Sequence, residues 1–285
     1  MSSLRESLEK TQTLSGLHTQ RTRWTTFLRE AQNTFIAENL GHALPPHLLK
    51  PPPHILKDVQ MAMECIRTAS QQPGLRVIGF TSSVSGEGTS TLASLIAAQM
   101  AVQPLRRFDP SHALREPGQD SAKGGLDSGP QGIMFIDTQW RNPALHRIFQ
   151  LHRLSGLREF LSGQDPLPAV AEKFTASNLE VITAGRTDNT PPTLTELEKL
   201  DIFLSYLRLH YTTVFLDIPA LMHFPEGIRL SRLCDGVIFV VRAHNTRSEI
   251  IAEAMSLLRH AKVKVLGCML NQRKYFVPDW LYRRL

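Results

Sequence analysis

The stretch Arg76-Val-Ile-Gly-Phe-Thr-Ser82, continued by Ser83-Val-Ser-Gly-Glu-Gly-Thr-Ser-Thr91, sets the architecture of this chain. Its first part is a short apolar run, the signature of a buried strand. Its second part is rich in glycine and hydroxyl side chains, and a helical pattern then runs from Thr89 to about Val102. A glycine-rich turn between a strand and a helix N-terminus is where a phosphate loop lies. Backbone N–H groups can surround phosphate oxygens there, and Gly86 and Gly88 permit the close approach. Ser90 falls where the loop hydroxyl would ligate magnesium. The phosphate-loop pattern, however, calls for lysine just before that hydroxyl, and this chain has Thr89; Ser83 also stands where the first glycine would be.

Beyond this stretch, apolar runs at Ile133–Ile136, Leu179–Thr183, Tyr211–Leu216, Gly236–Val241 and Val263–Leu270 read as further strands. Helical segments at about Thr193–Leu209 and Thr246–Ala261 separate the later ones, and a short helix from about Ile55 to Ala69 precedes the first strand. The alternation predicts an α/β fold: a doubly wound, mostly parallel sheet with helices on its faces. In such sheets ligands bind outside the carboxyl ends of the strands. Asp137 and Asp217 both terminate apolar strands, so both carboxylates can address one magnesium. Pro219, two residues after Asp217, turns the chain away beneath the carboxylate.

Residues 1 to about 45 read as a polar helix with an apolar stripe through Leu14, Leu17, Trp24, Phe27, Leu28 and Phe35. Pro45-Pro46 and Pro51-Pro52-Pro53 end it with a stiff, extended connector. The expected organisation is therefore a helical extension and connector over 1–53 and a phosphate-loop domain over 54–285. The stretch Pro104–Gly132 has no hydrophobic period and reads as a long mobile loop inside that domain.

Composition narrows the class. The 285 residues are 42% hydrophobic and 20% charged, an ordinary globular balance. No run approaches the roughly 20 apolar residues that cross a bilayer. Met1–Lys10 is polar rather than signal-like, so the chain is expected to stay in the cytoplasm. Cys65, Cys234 and Cys268 form no paired motif and are expected as small core residues. The histidines lack metal-ligand spacing. A net charge of +6 over this length is a solvated surface rather than a nucleic-acid footprint, and no nucleic acid is expected as a partner.

From about Ile55 onward the order of segments resembles the bacterial tyrosine kinases, P-loop proteins that work with polysaccharide co-polymerases in capsule and exopolysaccharide export. Ser85-Gly-Glu-Gly-Thr-Ser-Thr91 resembles their Walker A motif, P-G-E-G-K-S-T. Ile136-Asp-Thr-Gln-Trp-Arg-Asn-Pro143 resembles their second acidic motif, I-D-x-D-x-R-x-P. Gly156-Leu-Arg-Glu-Phe-Leu-Ser-Gly163 is similar to the G-L-x-x-x-L-x-G helix that follows. Phe215-Leu-Asp-Ile-Pro219 resembles their Walker B, and Val265-Leu-Gly-Cys-Met-Leu-Asn271 their last strand, whose asparagine reads adenine in related ATPases.

The resemblance implies a nucleotide site at Gly86, Glu87, Gly88, Thr89, Ser90, Thr91 and Asn271, and a magnesium site at Ser90, Asp137 and Asp217. It also marks departures. Thr89 replaces the lysine that bridges the terminal phosphates, and Gln139 replaces the second aspartate of the acidic motif. The ring-forming E-x-x-R-x-x-R pattern appears as Met61, Glu64 and Arg67, keeping only its last position. The chain stops at Tyr282-Arg-Arg-Leu285 without a tyrosine-rich tail.

Together these imply a degenerate relative that binds ATP or ADP with magnesium weakly, and no residue is assigned as catalytic. Its expected place is beside the cytoplasmic part of a membrane polysaccharide co-polymerase, peripheral to the inner membrane, with self-association left open. An active atypical ATPase or tyrosine autokinase is the alternative. A positioning ATPase of the ParA or MinD type is a second, although it would need lysines absent between Ser82 and Thr91. Arg141 and Arg247 are the cations considered as substitutes for the missing lysine.

Overall fold

Successive side chains of a strand point to opposite faces, and the central strands of this protein are apolar on both. The computed structural model describes residues 42–70, 74–102, 132–152, 155–175, 177–186 and 188–272. Within them a 7-stranded sheet is ordered β3-β4-β2-β5-β1-β6-β7. Its strands are β1 (Val77–Ser82), β2 (Ile133–Asp137), β3 (Ala171–Lys173), β4 (Leu179–Ile182), β5 (Thr213–Asp217), β6 (Gly236–Arg242) and β7 (Val265–Asn271). All neighbours are parallel except β3, which runs antiparallel to β4. This is the doubly wound arrangement expected from the alternating pattern.

The alternation sorts side chains into two cores. Val77, Met134, Ile136, Val214, Leu216, Val237 and Phe239 enter one, together with α5 (Leu157–Ser162), α7 (Leu194–His210) and the buried edge of α9 (Ser248–His260). Ile78, Phe80, Ile133, Phe135, Phe215 and Ile238 enter the other, under α2 (Pro53–Ser70) and α3 (Thr89–Val102). In that second core Phe80, Phe135 and Phe215 meet edge to face, at centroid distances of 5.3 and 6.3 Å from Phe215. Such contacts contribute about 0.5–1.5 kcal/mol each beyond area burial. Helix α3, which follows the interior strand β1, is buried nearly all round through Ala93, Ile96, Ala97, Ala98 and Ala101.

Four shorter helices complete the described chain: α1 (Pro46–Leu49), α4 (Leu145–Ile148), α6 (Leu167–Val170) and α8 (Glu226–Ser231). The first lies where the prolines suggested an extended connector. Pro46 opens it at the position where a helix has no use for an N–H, so proline starts the turn instead of preventing it. Leu44 and Leu48 are buried in the second core, and Gln99 Nε2 donates to the carbonyls of Leu48 and Leu49 at 2.7 and 3.0 Å. Residues just before Pro53 thus lie against the phosphate-loop domain. Of the helix expected over 1 to about 45 only 42–45 are described, and they are not helical, His42 bridging instead to Phe174; of the loop expected over 104–132 only Gly132 is described.

The cysteines divide. Cys234 packs under β1, its sulfur 2.9 Å from where a Cβ on Gly79 would sit, whereas Cys65 and Cys268 are exposed rather than core residues. Among the described residues no helix is long and apolar enough to cross a membrane.

Candidate functional site

The carboxyl ends of β1, β2 and β5 converge because these strands are neighbours in the order β2-β5-β1. Strands β2 and β5 run in register, with Asp137 paired to Asp217, so the two carboxylates terminate adjacent strands side by side. Both are fully buried. Asp137 is held from three directions: the Gln139 amide donates to Oδ1 at 2.9 Å, and the Ala144 and Leu145 amides donate to Oδ2 at 3.1 Å each.

Asp217 is different. Its two oxygens are buried without a full hydrogen bond. Burial pushes its carboxyl up to about 8, and the neighbouring Asp137 charge adds to the rise. The Ser90 hydroxyl and the Gln139 side-chain amide pull the other way without cancelling it. Gln139 itself donates from Nε2 to Ser90 Oγ at 2.9 Å. Two adjacent buried carboxylates, one of them unpartnered, next to a serine hydroxyl are hard oxygen donors that fit a magnesium ion. No cluster of three or more metal-binding side chains exists among the described residues. Magnesium is commonly held by one or two carboxylates together with phosphate oxygens and water.

Above the carboxylates lies the loop joining β1 to α3. Gly86 and Gly88 take φ of +87° and +84°, a region where a side chain is strained. A Cβ on Gly88 would also come 2.1 Å from Asn271 Nδ2. Gly86, Gly88, Thr89, Ser90 and Thr91 line one cavity of about 260 Å³ with Gln139 and Asn142. This is close to the lower end of the roughly 300–1,000 Å³ typical of small-molecule sites. Thr89 is buried, and its hydroxyl has no hydrogen-bond partner. A buried, unpartnered hydroxyl in a cradle of loop amides fits a phosphate oxygen.

The remaining two residues of the expected nucleotide set play other parts in the fold. The Glu87 side chain points inward, 1% exposed, and its Oε2 accepts from Ser83 N (2.8 Å), Ser83 Oγ (3.0 Å) and Val84 N (3.2 Å). Its Oε1 accepts from Thr246 Oγ1 at 2.6 Å. Asn271, at the end of β7, donates from Nδ2 to the Glu87 carbonyl at 2.7 Å. Glu87 and Asn271 therefore tie the loop to the ends of β6 and β7, and neither is among the residues that line the cavity.

The loop is also laced to the chain after β5, through Leu221 N to Ser82 O (2.9 Å) and Met222 N to Ser83 O (3.0 Å). His223 at the rim accepts from Ser85 N at 3.3 Å. The Gly156–Gly163 segment is structural: Glu159 Oε2 accepts from Gly156 N at 2.9 Å, and Leu157, Phe160 and Leu161 are buried in the first core.

The cations distribute unexpectedly. Arg141 is held by the buried Glu226 at 2.8 Å and stacks over Phe224, 5.6 Å from its centroid. Arg247 sits at the N-cap of α9 and does not line the cavity. The cavity does include Arg147, a residue without any motif of its own in the sequence. Arg147, His223 and Glu226 were not recognised from sequence; only their position after a strand-ending aspartate or a Walker B proline could have drawn attention to them.

A mostly parallel sheet with this strand order, a glycine-rich loop after the interior strand β1 and two aspartates at neighbouring strand ends define a P-loop fold. No family model matches the chain. It is 27% identical over 141 residues, 50% of its length, to the tyrosine-protein kinase Etk of Escherichia coli strain K12, of which that match takes in 19%. Tyrosine-protein kinase YwqD of Bacillus subtilis is 23% identical over 209 residues, 73% of this chain and 77% of that one. Among solved structures, the kinase domain of Escherichia coli ETK superposes with a TM-score of 0.63 at 19% identity, covering 86% of this chain and 87% of that one. The chain is thus similar in sequence to bacterial tyrosine kinases over these spans, shares the fold of their kinase domains, and spans only about a fifth of the length of the first of these relatives. The more general P-loop likeness extends to MinD in the MinC:MinD complex of Aquifex aeolicus, with a TM-score of 0.51 and 15% identity over 73% of this chain and 72% of that one.

Proposed function

We propose that this protein is a weakly nucleotide-binding, non-catalytic member of the bacterial tyrosine-kinase family that serves as a cytoplasmic partner in the synthesis and export of a capsular or extracellular polysaccharide. One observation carries the reading: the phosphate cradle is fully formed, but its lysine position is occupied by the neutral, buried Thr89. Phosphoryl transfer is catalysed almost entirely by positioning and by offsetting charge on the moving group. The cradle keeps the positioning amides, Ser90 and both carboxylates, and it loses the point charge. Gln139 compounds the loss, because its neutral amide is spent on Ser90 where the family's motif has a second carboxylate. Retained Ser90, Asp137 and Asp217 would bind magnesium with ATP or ADP; the chemistry such an ion supplies is charge neutralisation on the phosphates.

Such a subunit acts through its surface, by docking on the cytoplasmic region of a membrane polysaccharide co-polymerase or another export component. The test is titration of the purified protein with ATP, with and without magnesium, followed by incubation with γ-labelled ATP. Weak, magnesium-dependent binding without label on tyrosine is expected. Strong autophosphorylation would overturn this reading in favour of an active, atypical kinase, for which the intact carboxylate pair is the supporting feature.

A further inference from the structure

We infer that Arg147 supplies the positive charge for the terminal phosphates of a bound nucleotide, replacing the loop lysine from the opposite wall of the cavity. This rests on the nucleotide-binding reading above and specifies which residue gives the site its preference for a triphosphate. Arg147 lines the same cavity as Gly86, Gly88, Thr89 and Ser90. No lysine or other arginine is among the described residues that line it. In the same cavity, the loop position that would carry lysine offers only the unpartnered Thr89 hydroxyl, a polar group with no charge.

The guanidinium is also without an acidic partner among the described residues. Its Nη2 donates to the Pro143 carbonyl at 3.2 Å. Arg141, six positions earlier, shows the contrast, because its Nε is already held by Glu226. The turn that carries Arg147 is fixed to the acidic floor of the site: the amides of Ala144 and Leu145 donate to Asp137 Oδ2. A planar fork of N–H donors suits phosphate oxygens and can engage them in pairs. Arg147 is exposed, however, and ordering a long exposed side chain costs entropy that a lysine seated in the loop would not lose. The replacement therefore sustains binding without restoring the affinity of a complete loop.

The experiment measures dissociation constants for magnesium-ATP, magnesium-ADP and AMP by calorimetry on the whole protein and on Arg147→Ala, Arg147→Lys and Arg141→Ala, with thermal midpoints of the nucleotide-free forms. Arg147→Ala is expected to weaken ATP by roughly tenfold or more, as for loss of a charged hydrogen bond, with AMP and the thermal midpoint little changed. Arg147→Lys should recover part of the loss. Arg141→Ala should lower the thermal midpoint and leave ATP affinity in place. ATP binding by Arg147→Ala equal to that of the natural protein overturns the inference and leaves the nucleotide-binding reading standing, and an equal loss for ATP and AMP also overturns it. A natural protein that binds none of the three overturns the reading and the inference together.

Discussion

Asp137 and Asp217 are register partners on adjacent parallel strands, so two buried carboxylates share one end of the sheet. Their inequality is as informative as their proximity. Three backbone amides hold Asp137, whereas Asp217 has only the incomplete attentions of Ser90 and Gln139. The protein without ligand therefore carries its electrostatic cost on Asp217.

That cost gives a pH dependence with a definite sign. Asp217 is raised from 3.8 to about 8 in the folded protein, so the native state keeps a proton that the unfolded chain releases. Stability from this proton is fully present below pH 3.8 and is lost as pH rises through about 8. Asp217→Asn removes the charge and should flatten this slope. In urea denaturation with chelator present, the difference between variant and natural protein should be constant below about pH 3.8 and should shift in the variant's favour as pH rises from there to about 8. An unchanged slope in Asp217→Asn would assign the titration to another group.

Thr89→Lys should tighten magnesium-ATP binding by roughly ten- to a hundredfold, since a charged hydrogen bond contributes about 1.5–3 kcal/mol. The loop backbone is already shaped, so the nucleotide-free stability should move little. Calorimetry and a denaturation curve on the same preparation decide it. No gain in affinity would mean that the cradle does not place phosphate beside position 89.

Glu87→Ala should be among the most destabilising single changes at the site. It removes the acceptor for Ser83 N, Ser83 Oγ, Val84 N and Thr246 Oγ1 at a side chain that is 1% exposed. Leaving several donors unpaired costs at least about 3 kcal/mol. Urea midpoints test it, and a loss below about 1 kcal/mol would show that the loop relaxes to find other partners.

Arg141→Ala should destabilise by about 1–3 kcal/mol by stranding the buried Glu226, a figure reduced from that of a fully buried pair because Arg141 is partly exposed. Arg141→Ala paired with Glu226→Gln should recover part of the loss, since the second change removes the stranded charge. Chemical denaturation of the single and double variants checks both statements.

The strands were legible where burial on both faces turns them into continuous apolar runs, as at Ile133–Asp137 and Thr213–Asp217. Helix α3 was legible to its end residues because the phosphate loop marks its start. Strand β3 was not, since Ala171-Glu-Lys173 is too short to show a period. The same applies to α4, α6 and α8, each a turn or two long. At the site, the strand-end aspartates could be read because a following sheet rule places them, and their register was then found directly opposite. Arg147 could not be read in this way: its role depends on which wall of a cavity the turn after β2 forms, and nothing local in Leu145-His-Arg-Ile148 records that. Glu87 was read for its place in the loop, but the inward turn of its carboxylate depends on Thr246, distant in sequence.

The bonds from Glu87 to Ser83, Val84 and Thr246, and from Asn271 back to Glu87, have a consequence for how such a site can change over time. They hold the cradle in shape without any contribution from the side chain at position 89. Form and charge are thus written in different residues, and either can be altered while the other persists. A fold of this kind can give up a reaction by a single replacement and still present the same outline to whatever it meets, which makes it a ready source of subunits that are recognised rather than reactive.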